Sequence, residues 1–209
     1  MQITEPHLVS DSIPGYDYGS PAAAKSPISV QELDLLKQSA GFTSEDEQWL
    51  QTAGTVLIDQ TKQLVQKWRE AIAAHPHLAR YSQRPDGQKD PRYSEASGLR
   101  FQQWVLDTCQ RPYDQDWLNY QQEMALRHTS LKKNKTDHVD SAPTIHLRHI
   151  IAFNAVMGDP KILKPFLAAK GHGADEVEKM HQAWVKSLWL QAALWTEPYT
   201  DPRLAPNEW

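Results

Sequence analysis

Apolar residues recur at every third or fourth position along most of this chain, and that period constrains the fold more than any other feature. The C-terminal stretch shows it best. Val177, Met180, Trp184, Leu188 and Trp195, with Gln191 between the last two, fall on one stripe of a helix running from about Ala174 to Trp195. Strand alternation is nearly absent, so the chain is expected to be all-α. Its 209 residues suit one domain with extensions, long enough to bury a sizeable core.

Start and stop signals divide the chain into helices. Ser29-Val30-Gln31-Glu32 reads as a capping box for a short helix to about Ala40, closed by Gly41. Thr43 or Ser44 caps a long segment with Glu45, Asp46 and Glu47 in its first turn. It runs to about Ala74, as one kinked helix or two nearly continuous ones, and His75-Pro76-His77 stops it. Arg84-Pro85-Asp86-Gly87 is a turn. The next helix starts near Pro91 and contains Gly98, a poor helix former whose presence allows a close backbone approach. Tyr113–His128 follows, then a polar loop from Thr129 to Ala142. A helix opens at Pro143, and a short stretch from Ile162 to Lys170 precedes the final helix.

Composition excludes several classes of function. The net charge of -4 is mild and spread along the chain, which argues against nucleic-acid or membrane-surface binding. Basic residues cluster at Lys132, Lys133 and Lys135, the pattern of a solvated loop. With one cysteine, Cys109, there is no intrachain disulfide, no zinc knuckle and no c-type haem attachment. No apolar run reaches the roughly 20 residues of a membrane span. The polar start, Met1 to Ser20, lacks a hydrophobic signal core, so a cytoplasmic location is expected. No phosphate-binding loop or nucleophile elbow is present. His75-x-His77 and His146-x-x-His149 lack carboxylate or thiolate partners at ligand spacing and give only a weak zinc signal.

One helix face points to chemistry. Trp117, Tyr120 or Gln121, Met124 and His128 form a mostly apolar stripe ending in an imidazole. A neutral imidazole on an apolar wall is what a haem iron takes as its fifth ligand. A hydrogen-bonded core histidine gives the same pattern, so the stripe alone leaves both readings open. Eight tryptophans, seven tyrosines and four phenylalanines supply flat rings that pack against a conjugated ligand or against one another.

The order of the helices is that of a globin, in which helices cross at steep angles around a flat pocket. Several motifs make the resemblance specific. They include Ile13-Pro14-Gly15-Tyr16, Ser82-Gln83-Arg84-Pro85-Asp86-Gly87, Trp104-Val105-Leu106-Asp107-Thr108 and Trp117-Leu118-Asn119-Tyr120-Gln121. Leu126-Arg127-His128, Lys132-Lys133-Asn134-Lys135-Thr136-Asp137, Lys164-Pro165-Phe166-Leu167-Ala168 and Gln191-Ala192-Ala193-Leu194-Trp195 follow in order. From about Ile13 to Tyr199, with a short insertion near Gly158 to Lys161, the chain resembles the protoglobins, single-domain relatives of the globin-coupled sensors.

The resemblance implies a globin-like helical sandwich with an extra N-terminal helix: an extension over 1–28, a globin domain over 29–199 and a tail over 200–209. It implies haem b on His128 as proximal ligand, with Trp68 and Phe101 distal. Met124, Ile145, Ile150, Phe153, Met157 and Trp195 would form apolar haem walls. Ile13 to Tyr16 would fold over the haem edge, and a homodimer would form through the last two long helices. The gas would be O2, CO or NO. The 14 residues after Trp195 leave no room for an output domain, so any signalling would pass through a separate partner.

One position departs from the family. Where a tyrosine normally follows the distal tryptophan, this chain has Arg69. Either the guanidinium turns to the haem propionates or solvent, because burying it alone costs several kcal/mol, or it holds an anionic or polarised ligand. Ser97 adds a small polar group on the same side. A gas-binding sensor, carrier or scavenger is the leading expectation. A haem peroxidase or an NO- or nitrite-processing enzyme using Arg69 is the alternative, and an apo-globin interaction module the third.

Overall fold

The computed structural model describes residues 13–204, and among them it contains nine α-helices and no β-strand, as the helical period predicts. They are α1 (Val30–Ser39), α2 (Ser44–Leu57), α3 (Thr61–Ala73), α4 (Pro76–Ala79), α5 (Pro91–Gln110), α6 (Gln115–Leu126), α7 (Leu147–Met157), α8 (Pro160–Leu167) and α9 (Ala174–Trp195). The first twelve residues of the expected extension and the last five of the tail lie outside the described residues.

Local chemistry places most of these boundaries. Ser29 does cap α1, accepting from the Glu32 amide at 3.2 Å. The reciprocal capping box stands instead at Thr43, whose hydroxyl accepts from the Asp46 amide while the Asp46 carboxylate accepts from the Thr43 amide. Lys186 of α9 also donates to that carboxylate, so one acid caps α2 and pins it to α9. The long segment after Thr43 is two helices. The break at Ile58–Gln60 is held by the Gln60 side chain, which donates to the carbonyls of Val56 and Phe166. Asp90 and Asp114 cap α5 and α6.

Three boundaries differ from expectation. Pro76 ends α3 but also starts α4, since its fixed φ suits a first helical position. α6 ends at Leu126, so His128 stands in the turn just beyond it. α7 begins at Leu147 rather than Pro143, and just ahead of it the Ile145 amide donates to the His128 carbonyl at 2.7 Å. That bond holds the end of the 129–146 loop against the turn that carries His128.

α2 packs against α5 and α9, α3 against α5, and α6, α7 and α8 each against α9. Trp68 of α3, Trp104 of α5 and Trp184 of α9 meet where these helices cross. Their ring centroids are 5.6–6.4 Å apart, the spacing of stacked and edge-on aromatic contacts. Cys109 is buried nearby as a free thiol. A smaller cluster of Leu33, Trp117, Leu118 and Leu194 fastens α1 to α6 and α9.

Trp184 is fully buried at that crossing. Trp184→Ala should lower unfolding free energy by about 3–5 kcal/mol, read from urea denaturation. A change below about 1 kcal/mol would mean that the crossing does not anchor the fold.

Candidate functional site

A cavity of about 350 Å³ opens between α3, α5, α6, α7 and the 129–146 loop, within the size range of small-molecule sites. One face of α5 supplies Tyr93, Ser97, Phe101 and Trp104, spaced four, four and three residues apart as a helix face requires. Met124, Ile145, Ile150, Phe153, Met157 and Trp195 line it from the other elements, together with His128. Nine of the ten residues expected at the site from the sequence, Arg69 and Phe101 included, lie on this wall. Trp68 is the exception. It is fully buried behind Phe101, stacked on it at 5.5 Å and wedged against Trp104 and Trp184, so it supports the wall without reaching the cavity.

The His128 ring is oriented by two contacts. Nδ1 lies 2.7 Å from the Met124 carbonyl, and the indole of Trp195 tilts over the ring at 4.8 Å. Trp195 is itself fixed, donating to Gln121 Oε1 at 2.8 Å. A carbonyl can only accept, so Nδ1 carries the proton and Nε2 keeps its lone pair. Burial lowers the imidazole pKa to about 4, against the Met124 hydrogen bond and with help from the charges of Lys133 and Arg127. The ring is therefore neutral at physiological pH, the form that ligates a metal.

Arg69 lines the cavity with its guanidinium engaged on the α5 backbone. Its Nη1 donates to the Ser94 carbonyl of α5 at 2.8 Å and rests against Gly98. The close backbone approach that Gly98 suggested is thus made by a guanidinium. Ser97 lies on the wall, 3.4 Å from the same carbonyl.

Charge gathers at one edge. Arg100 is paired to Asp137 through two hydrogen bonds and donates to the Pro14 carbonyl, while Arg127 bridges Glu123, Asp17 and the Gly15 carbonyl. Ile13 to Asp17 are thereby strapped over the cavity edge. Tyr16 adds a hydrogen bond to Asp107, whose carboxyl burial pushes above its ordinary pKa. Lys133 corrects the expectation of a solvated loop. It is only 5% exposed and lines the cavity, and its ammonium donates to the Tyr81 carbonyl and Ser141 Oγ. Burial pulls its pKa down to about 8.

The two histidine pairs, some 70 residues apart in sequence, come together at another edge. Ring centroids step from His75 to His77, His149 and His146 at 5.5–5.8 Å, and Tyr81 hydrogen-bonds His149 Nδ1 at 2.9 Å. No group of three His, Cys, Asp or Glu among the described residues is placed to hold a metal. The pattern of α5 from Tyr93 to Trp104 is visible in the sequence once read as a cavity face. The burial of Lys133 and the meeting of the histidine pairs depend on how the 129–146 loop folds and carry no local signal.

A family model described as Protoglobin matches residues 29–204. The chain belongs to the protoglobin family. No curated protein matches the sequence. Membership implies a globin that binds haem and gases, and the wall suits such a group. Its apolar faces match a flat macrocycle, the neutral imidazole offers a lone pair, and Lys89, Arg100 and Lys133 bring basic groups to the lining that could meet carboxylates. Bound haem would supply an iron able to take an imidazole on one side and a small ligand on the other.

His149 yields a pH prediction. Burial, then Arg148, His146, His77 and Arg80 hold its pKa below the ordinary imidazole value, about 6.5. Above that pH neither folded nor unfolded protein binds the proton, and the stability contribution is complete. As pH falls the unfolded chain takes the proton first, so stability is lost. Unfolding free energy should decline between pH 7 and pH 5, and His149→Gln should make the decline shallower while leaving the share that buried His128 contributes. Equal slopes for the two proteins in urea titrations at each pH would refute this.

Proposed function

We propose that the protein holds haem b on His128 and reversibly binds O2, CO or NO on the opposite side of the ring, as a sensor, carrier or scavenger. The hydrogen bond from His128 Nδ1 to the Met124 carbonyl carries this reading, because it leaves Nε2 as a neutral donor on the cavity wall. Trp195 restrains rotation of the imidazole. Phe101, braced by Trp68, and Phe153 add apolar rings to the cavity wall. With one cysteine, the haem would be held without thioether bonds.

The enzyme alternative draws less support, since Arg69 is engaged on the flank of α5. An apo-module is disfavoured by a 350 Å³ cavity with an imidazole lone pair on its wall. A dimer through α7 and α9 is supported by Ile151 and Trp189, large apolar side chains 36% and 52% exposed. Trp189→Glu should convert the holoprotein to a monomer in sedimentation velocity, and a wild-type monomer would remove the dimer from the proposal.

His128→Gly should abolish the Soret and CO-bound spectra of a His-ligated haem, and added imidazole should restore them. An unchanged spectrum in the variant would assign the axial ligand elsewhere.

A further inference from the structure

Gly98 shapes the ligand side of the site through Arg69. A Cβ built on Gly98 would stand 2.5 Å from Arg69 Nη1, well inside contact distance, and the only atoms it would meet within 4 Å belong to that guanidinium. Gly98 and Ser94 lie one turn apart on the flank of α5 that faces α3, and together they make a notch with a carbonyl at its base. No carboxylate pairs with Arg69 among the described residues, so this notch is what fixes the charge. Tyr93, Ser97 and Phe101 lie one step round the helix and face the cavity.

We propose that Gly98 determines the ligand class of the site by parking Arg69. With the guanidinium in the notch, the ligand meets the ring of Phe101 and neutral diatomic molecules are favoured. Without the notch, the guanidinium turns into the cavity and recruits small anions. The proposal rests on the haem-and-gas reading above. A side chain with four rotatable torsions gives way before a helix does, and alanine is a better helix former than glycine, so Gly98→Ala moves Arg69 and leaves α5 intact. The displaced cation loses its bond to Ser94. On the cavity side it finds the Tyr93 and Ser97 oxygens as acceptors, and a bound anion supplies the missing counter-charge.

Four haem-loaded proteins test this: wild type, Gly98→Ala, Arg69→Met and the double variant. The readouts are azide affinity of the ferric form and the C–O stretching frequency of the ferrous CO form, which falls when positive charge approaches the ligand oxygen. Gly98→Ala should bind azide at least about tenfold more tightly, the scale of one charge-assisted hydrogen bond, and should lower the C–O stretch. Arg69→Met and the double variant should match wild type. An unshifted Gly98→Ala protein, or a shift that persists in the double variant, overturns the proposal. Should Gly98→Ala fail to load haem, Arg69→Met alone decides. A changed azide affinity or C–O stretch would show Arg69 acting from the notch, against the proposal, and unchanged values support it. Failure of the underlying reading looks different: the wild-type protein would lack a His-ligated haem spectrum.

Discussion

The position of the cavity wall depends on a stack of three rings, Trp184 on Trp68 on Phe101, at 5.9 and 5.5 Å. Each ring belongs to a different helix, so the stack sets the spacing of α9, α3 and α5 together. Trp104 closes it edge-on and donates to Gln191 of α9 at 2.7 Å. Of the three indoles at this crossing, Trp68 alone has an N–H without a partner. Such a group costs free energy, and the area buried by three large rings more than offsets it. Phe101 therefore faces the cavity from a rigid backing, and its ring has no room to retreat.

The opposite wall is organised by electrostatics. His128 stands past the end of α6, where its ring can reach back to the Met124 carbonyl, and the Ile145 amide binds its own carbonyl. Arg127 and Lys133 place positive charge close enough to disfavour a second proton on the ring. Arg127 is compensated by Glu123 and Asp17, whereas Lys133 is held by neutral oxygens. The net effect is an imidazole whose tautomer and charge state are both fixed before any ligand arrives.

The order of the longer helices and the caps at Ser29 and Thr43 were legible in the sequence because each depends on residues within a few positions of one another. The resemblance supplied Phe101 and the apolar wall residues, and the apolar stripe first drew attention to His128. What escaped were features set by long-range partners. The turn that carries His128 just past α6 is held by a bond from Ile145, 17 residues on. Trp68 matches a ligand-facing position by resemblance, yet it turns inward because Trp104 and Trp184 complete a core around it. Lys133 looks like a solvated lysine until the Tyr81 carbonyl, 52 residues away, is brought to it.

Charge is sorted across the cavity, and the sorting follows from desolvation. Arg100 and Arg127 are each compensated by acids and by carbonyls of the N-terminal strap at the edge. Arg69 is drawn out of the middle onto the α5 backbone. An unpaired guanidinium over the apolar centre would cost several kcal/mol, while the same charge at an edge costs little and attracts carboxylates. A macrocycle with two acidic groups and an otherwise apolar body would suit that pattern with its acids toward the basic edge and its body toward the apolar wall. Arg69 thus rests on the α5 backbone beside Gly98, where its charge is met by a carbonyl.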